Sequence, residues 1–281
     1  MKTYISTGIG DLICLDSFLT QAERNSVTEM FWGCRFGKYM SPLIDKNFFY
    51  PNVKKHHYID DEKGKEYWVK LGHSPDHSAF WHFRSDMPND YQIALNHFNL
   101  NANEVQDFTP VSFYNDTNRK YTGSSFLYNA SKEDVDWKEL ETKPGEYMLV
   151  HYPTSSRPRS DISIISNDDW ELVDKTSREK NLKVIVITDT DISLKYKHFK
   201  ILNTPDIQSI VALAKYANCY FGCDSFVSIL CCRILSSSKM YIKSPRQNIK
   251  ESLPSHIWNH KYFSPHKPEI IQKFYHYGPT G

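Results

Sequence analysis

The sequence lacks an excess of charge of either sign. Its 34 Lys and Arg stand against 33 Asp and Glu, a formal net charge of +1 over 281 residues. That balance excludes a polybasic tail and an acidic disordered chain, and it argues against binding nucleic acid through bulk charge. A local basic groove stays open. The chain also lacks an uninterrupted apolar run of membrane-spanning length. Its most apolar long window, at about residues 209–235, carries Lys215, Asn218, Asp224 and Arg233. The opening stretch from Met1 to Gly10 is too short in apolar residues for a signal peptide, and glycines interrupt it at once. No CxxC pair occurs among Cys14, Cys34, Cys219, Cys223, Cys231 and Cys232. Most of these cysteines sit in apolar runs, the setting of buried thiols in a reducing compartment. The expectation is a cytoplasmic protein with no transmembrane segment. Internal repeats and low-complexity tracts are absent as well.

What is present fits a soluble globular chain: 40% hydrophobic, 24% charged and 14% aromatic residues. At about 150 residues per domain the length corresponds to two small domains or one large one. Lys2 to Ser6 is β-prone, Thr7-Gly-Ile-Gly-Asp11 turns the chain, and Leu12, Leu15, Phe18 and Leu19 recur at helical spacing. Strand, glycine-rich loop and helix open an α/β domain. The next hundred residues are less regular, with a strand expected at Tyr67-Trp68-Val69, another at 111–114 and a short helix over Tyr91 to Phe98. The charged segment 130–143 reads as the connection between halves.

The second half alternates clearly. Tyr147 to His151 is a strand, Ser166 with Asp169 a capping box, and Lys183 to Thr188 a continuous apolar run of the kind buried on both faces of a parallel sheet. Thr204-Pro205-Asp206 starts a helix with proline in its first turn, striped by Ile207, Ile210, Val211 and Ala214. Cys219 to Gly222 and Met240 to Ile242 are short strands. The expected domains are 1–140 and 141–281, each a parallel sheet covered by helices.

Three motifs carry candidate chemistry. Gly8 and Gly10 allow the backbone to approach a ligand, and the helix that follows offers unpaired N–H groups to an anion. Asp11 then acts either as a general base on a substrate hydroxyl or as a cap on its own helix. A dinucleotide-binding loop fits poorly, because the third glycine of GxGxxG falls near Ile13. Thr154-Ser155-Ser-Arg157-Pro-Arg159 follows a strand, and its hydroxyls and guanidinium groups suit a diphosphate. Asp224 and Ser225 follow another strand, where the hydroxyl and the following N–H groups hold a phosphate while the acid holds the loop, or where they cap a helix. For metals, His73, His77 and His82 lie close in sequence with Asp76, but Pro75 breaks any helix that would bring them onto one face, and no metal site is expected. Lys54-Lys-His-His57 with nearby Tyr and Trp reads as a basic turn beside an apolar cluster, or as a surface that stacks sugars or bases.

The order of the three motifs resembles the lipopolysaccharide heptosyltransferase family, glycosyltransferases of the GT-B class. The resemblance covers the first 20 or so residues and about 147–242. It implies an α/β fold of two Rossmann-like domains facing across a cleft, and transfer of a sugar from a nucleotide-diphosphate sugar to an acceptor hydroxyl. Asp11 matches that family's base; Thr154, Ser155 and Arg157 or Arg159 match its diphosphate loop; Asp224 and Ser225 match the start of its late motif. Phe226 stands where that motif has glycine and Ile229 where it has histidine, so the donor contact differs. No cofactor is implied beyond the nucleotide sugar as substrate. The implied acceptor is a saccharide, with a modified DNA base as the competing acceptor. A non-catalytic nucleotide-binding protein is the competing class, and an NAD-dependent enzyme a third.

Overall fold

The computed structural model describes residues 1–243 apart from 7, 48, 75–80, 109–129, 153–164, 189–191, 193–194, 204, 224 and 236–238. The strand expected at 111–114 lies outside the described residues. The chain divides into two compact units, 1–126 and 127–281.

In the first unit the described strands are β1 (Lys2–Ile5), β2 (Glu29–Trp32), β3 (Lys55–Tyr58) and β4 (Val105–Asp107). They form a wholly parallel sheet in the order β3-β2-β1-β4. The described α-helices are α1 (Ile9–Asp16), α2 (Gln21–Ser26), α3 (Gly37–Asn47), α4 (Asp61–Lys70) and α5 (Pro88–His97). Tyr4, Phe31, Ile59, Trp81, Phe83, Ala94 and Leu95 make one buried cluster. Residues 67–69, expected as a strand, belong to α4. The Asp60 carboxylate accepts the Glu62 and Lys63 N–H groups and so fixes the helix start, and Tyr67-Trp68-Val69 follow in its later turns. The helix expected over Tyr91 to Phe98 is α5, begun by Pro88.

His56 and His57 of the basic stretch are strand residues, not turn residues. The indole N–H of Trp32 donates to His56 Nδ1 at 3.0 Å, and His56 Nε2 lies 3.0 Å from Asp45. His57 stacks on Phe31 on the other face, with its Nε2 2.8 Å from Glu29. Neighbouring side chains of a strand point to opposite faces, so adjacent histidines find separate partners.

The second unit holds β5 (Tyr147–His151), α6 (Asn167–Glu179), β6 (Lys183–Thr188), β7 (Lys200–Asn203), α7 (Ile207–Tyr216), β8 (Cys219–Cys223), α8 (Phe226–Ile234) and β9 (Met240–Lys243). Its sheet is again parallel, in the order β7-β6-β5-β8-β9. Met148, Val150, Val184, Val186 and Phe221 pack against Trp170 and Val173 of α6, while Tyr147 points the other way and donates its hydroxyl to the Leu213 carbonyl of α7. Burial on both faces explains the unbroken apolar runs. The capping box at Ser166 and Asp169 is formed as expected. Asp206 itself caps α7 by accepting the Ser209 N–H, so Pro205 precedes the cap and is not inside the first turn.

The segment expected as a connection packs within the second unit. Gln208 donates to Asp134, Ser209 to the Asp134 carbonyl, and Lys215 to the Ala130 carbonyl. No helix among the described residues is long and apolar enough to cross a membrane.

Candidate functional site

In an open parallel sheet, ligands settle beyond the carboxyl ends of the strands, where neighbouring strands send their connections to opposite sides. The two strand orders place that point between β1 and β4 in the first unit and between β5 and β8 in the second. The chain enters each sheet at the first of these two strands. The motifs singled out in the sequence follow β1, β5 and β8.

In the first unit, Leu12 N–H closes onto the Gly8 carbonyl, so α1 begins directly at the glycine pair. Gly8 precedes the helix, and Gly10 and Asp11 lie within its first turn. The Asp11 side chain lies outside the described residues. Ser6, at the end of β1, donates its hydroxyl to the Gly33 carbonyl at 3.0 Å and ties β1 to the exit of β2.

In the second unit, His151 ends β5, in register with Ile187 of β6 and Gly222 of β8. Its Nδ1 lies 2.8 Å from the Ser225 hydroxyl, a bond that joins the end of β5 to the start of the helix after β8. The His151 ring keeps part of its surface accessible, yet the protein packed around it pushes its pKa down to about 4. The Phe226 ring meets it at 64° with centroids 6.2 Å apart. At Gly222 a Cβ would overlap the Tyr220 hydroxyl and approach the His151 carbonyl oxygen to 3.2 Å, so glycine is the residue the close strand passage admits.

Ser225 is the N-cap of α8. Its hydroxyl oxygen accepts the Ser228 N–H at 3.4 Å, its own N–H donates to Ser228 Oγ at 3.0 Å, and Ser228 Oγ donates back to the Ser225 carbonyl at 2.6 Å. The capped end of a helix concentrates positive potential and suits an anion. Ser225 thus takes the helix-cap position that its sequence context allows. The Asp224, Thr154, Ser155, Arg157 and Arg159 positions lie outside the described residues; in the chain, residues 154–159 follow His151 after Tyr152 and Pro153. Sequence reasoning missed His151. Its signal was a histidine closing an apolar strand immediately before a loop of hydroxyls and arginines.

Among the described residues no group of three His, Cys, Asp or Glu side chains is arranged to hold a metal ion. His73 stacks on Trp68 with centroids 3.7 Å apart, and His77 lies outside the described residues.

No protein-family profile and no curated protein matches the chain. Solved structures do. ADP-heptose lipopolysaccharide heptosyltransferase II of E. coli is similar over 88% of this chain and 85% of its own, at 9% identity and a TM-score of 0.52. A glycosyl transferase of family 9 from Veillonella parvula is similar over 86% of this chain and 79% of its own, at 9% identity and a TM-score of 0.51. The fold is therefore the α/β GT-B fold of these proteins, shared at 9% sequence identity.

Proposed function

We propose that the protein is a glycosyltransferase that moves a sugar from a nucleotide-diphosphate sugar to an acceptor hydroxyl. The observation that carries this reading is positional. On a GT-B fold, the second unit sets a helix-capping hydroxyl, Ser225, within hydrogen-bond reach of His151 at the crevice between β5 and β8, and residues 154–159 come soon after β5 in the sequence. Backbone N–H groups of α8, the Ser225 hydroxyl and Arg157 or Arg159 hold the donor diphosphate. The arginines offset the charge that develops on it as the glycosidic bond breaks. Asp11, in the first turn of α1, takes the proton of the acceptor hydroxyl. One carboxylate base without a protein nucleophile gives a single displacement, with inversion at the sugar carbon. Cations and N–H groups suffice for the leaving diphosphate, so the mechanism needs no metal. The acceptor is a saccharide.

Replacing Asp11 with Asn tests the reading. Transfer falls by at least a hundredfold while nucleoside-diphosphate binding is retained; full activity in that variant removes Asp11 from the mechanism. Salt-dependent retention of DNA, steep in log affinity, favours a DNA base as acceptor instead.

Phe226 and Ile229 support a second reading, a nucleotide-sugar binding protein without catalysis, because both depart from the heptosyltransferase motif and the Phe226 ring packs against His151. A nucleotide sugar that binds yet is never cleaved, whatever acceptor is supplied, selects that reading.

A further inference from the structure

A serine hydroxyl has one hydrogen to donate and two lone pairs with which to accept. At Ser225 one lone pair takes the Ser228 N–H that caps α8. The remaining described contact is His151 Nδ1, 2.8 Å away, and its direction decides what Ser225 presents to the crevice. If Ser225 donates to a bare Nδ1, its hydrogen is occupied and a lone pair faces outward. If Nδ1–H donates to Ser225, both lone pairs are filled and the hydroxyl hydrogen is all that Ser225 can offer. Packing around His151 holds its pKa down to about 4, so the ring carries one proton at neutral pH and the two states exclude each other.

Resting on the donor reading above, we propose that His151 is a positioning residue. It keeps its proton on Nδ1, donates it to Ser225, and so turns the Ser225 hydroxyl hydrogen toward a phosphate oxygen of the nucleoside diphosphate. The surroundings favour this arrangement. An outward lone pair at the positive end of α8 would repel an anion that the helix itself attracts, whereas a hydroxyl hydrogen continues the row of helix donors. The ring is also held in place. Its backbone is fixed in register between Ile187 and Gly222, and the Phe226 ring packs against it at 64°.

The test combines a direct observation of the proton with a mutant cycle. Long-range proton–nitrogen NMR of the full chain labelled with ¹⁵N-histidine, the His151 signal assigned by its loss in His151→Asn, distinguishes a protonated from a bare Nδ1. ADP, UDP, GDP, CDP and dTDP serve as probes, with binding followed by calorimetric titration. Expected are a protonated Nδ1 with nucleotide bound and about a tenfold weaker binding in Ser225→Ala and in His151→Leu. His151→Asn, which keeps a side-chain N–H, retains most of the affinity. The double variant Ser225→Ala/His151→Leu binds no worse than Ser225→Ala, because His151 acts through Ser225. A bare Nδ1 in the complex overturns the inference and leaves the donor reading standing, as do fully additive losses in the double variant. Should His151→Leu fail to fold, the NMR signature and His151→Asn decide. Failure of all five nucleotides to bind the wild-type chain overturns the donor reading itself.

Discussion

His151 Nδ1 and the Ser225 hydroxyl, 2.8 Å apart, join the end of β5 to the start of α8 across the crevice of the second unit. Because burial disfavours its imidazolium form, His151 carries a pH signature. The folded pKa of about 4 lies below the ordinary histidine value of 6.5. The resulting stability is fully present above pH 6.5 and is lost as the pH falls from there toward 4, amounting to at most about 3 kcal/mol. Thermal melts of wild type and His151→Asn between pH 7 and pH 4 check it. The wild type loses stability relative to the variant across that window, and parallel curves contradict the assignment.

Gly222→Ala places a methyl group against the Tyr220 hydroxyl and within 3.2 Å of the His151 carbonyl oxygen. Such overpacking costs about 1–3 kcal/mol. Because the same shift moves His151 off Ser225, nucleotide affinity falls together with melting temperature. A variant that melts lower but binds unchanged separates the glycine from the site.

Much of this architecture was legible, and the misses have physical causes. Lys183–Thr188 reads as a strand because both of its faces are apolar and buried. Lys55–Tyr58 does not, because His56 and His57 satisfy their polar atoms through Asp45, Trp32 and Glu29, partners that only the folded chain brings near. Tyr67–Val69 looks β-prone taken alone, but the Asp60 cap commits the preceding residues to a helix that carries the triplet with it. At the site, Ser225 was visible from its glycine-acid-serine context. His151 was hidden, since a strand-end histidine acquires meaning only once β8 lies beside β5.

Asp16 and Arg24 form a buried pair in the first unit. Arg24 Nε lies 3.2 Å from the Asp16 carboxylate, and Arg24 also donates to the Asp16 carbonyl at 2.7 Å. Arg24→Met leaves the carboxylate without its counter-charge and lowers stability by about 3 kcal/mol. Combining it with Asp16→Leu recovers most of the loss. Calorimetric melts of the two variants and the wild type measure both effects.

Burial pushes the Cys219 thiol, at the start of β8 beside Met148 of β5, up to about 11. At pH 8 that leaves about one thiolate in a thousand, so Cys219 resists alkylation in the native protein. Mass mapping after brief iodoacetamide treatment finds its peptide unmodified, and modified once urea is added. Rapid native labelling contradicts its placement.

On the proposed function, the crevice between β5 and β8 holds a nucleoside diphosphate. Hydrogen–deuterium exchange of the full chain with and without saturating nucleoside diphosphate tests it most directly. The account predicts slowed exchange over residues 147–152 and 219–230, where the strand ends and the first turns of α8 meet the phosphates. Binding that protects residues elsewhere and leaves both of these segments unchanged contradicts it.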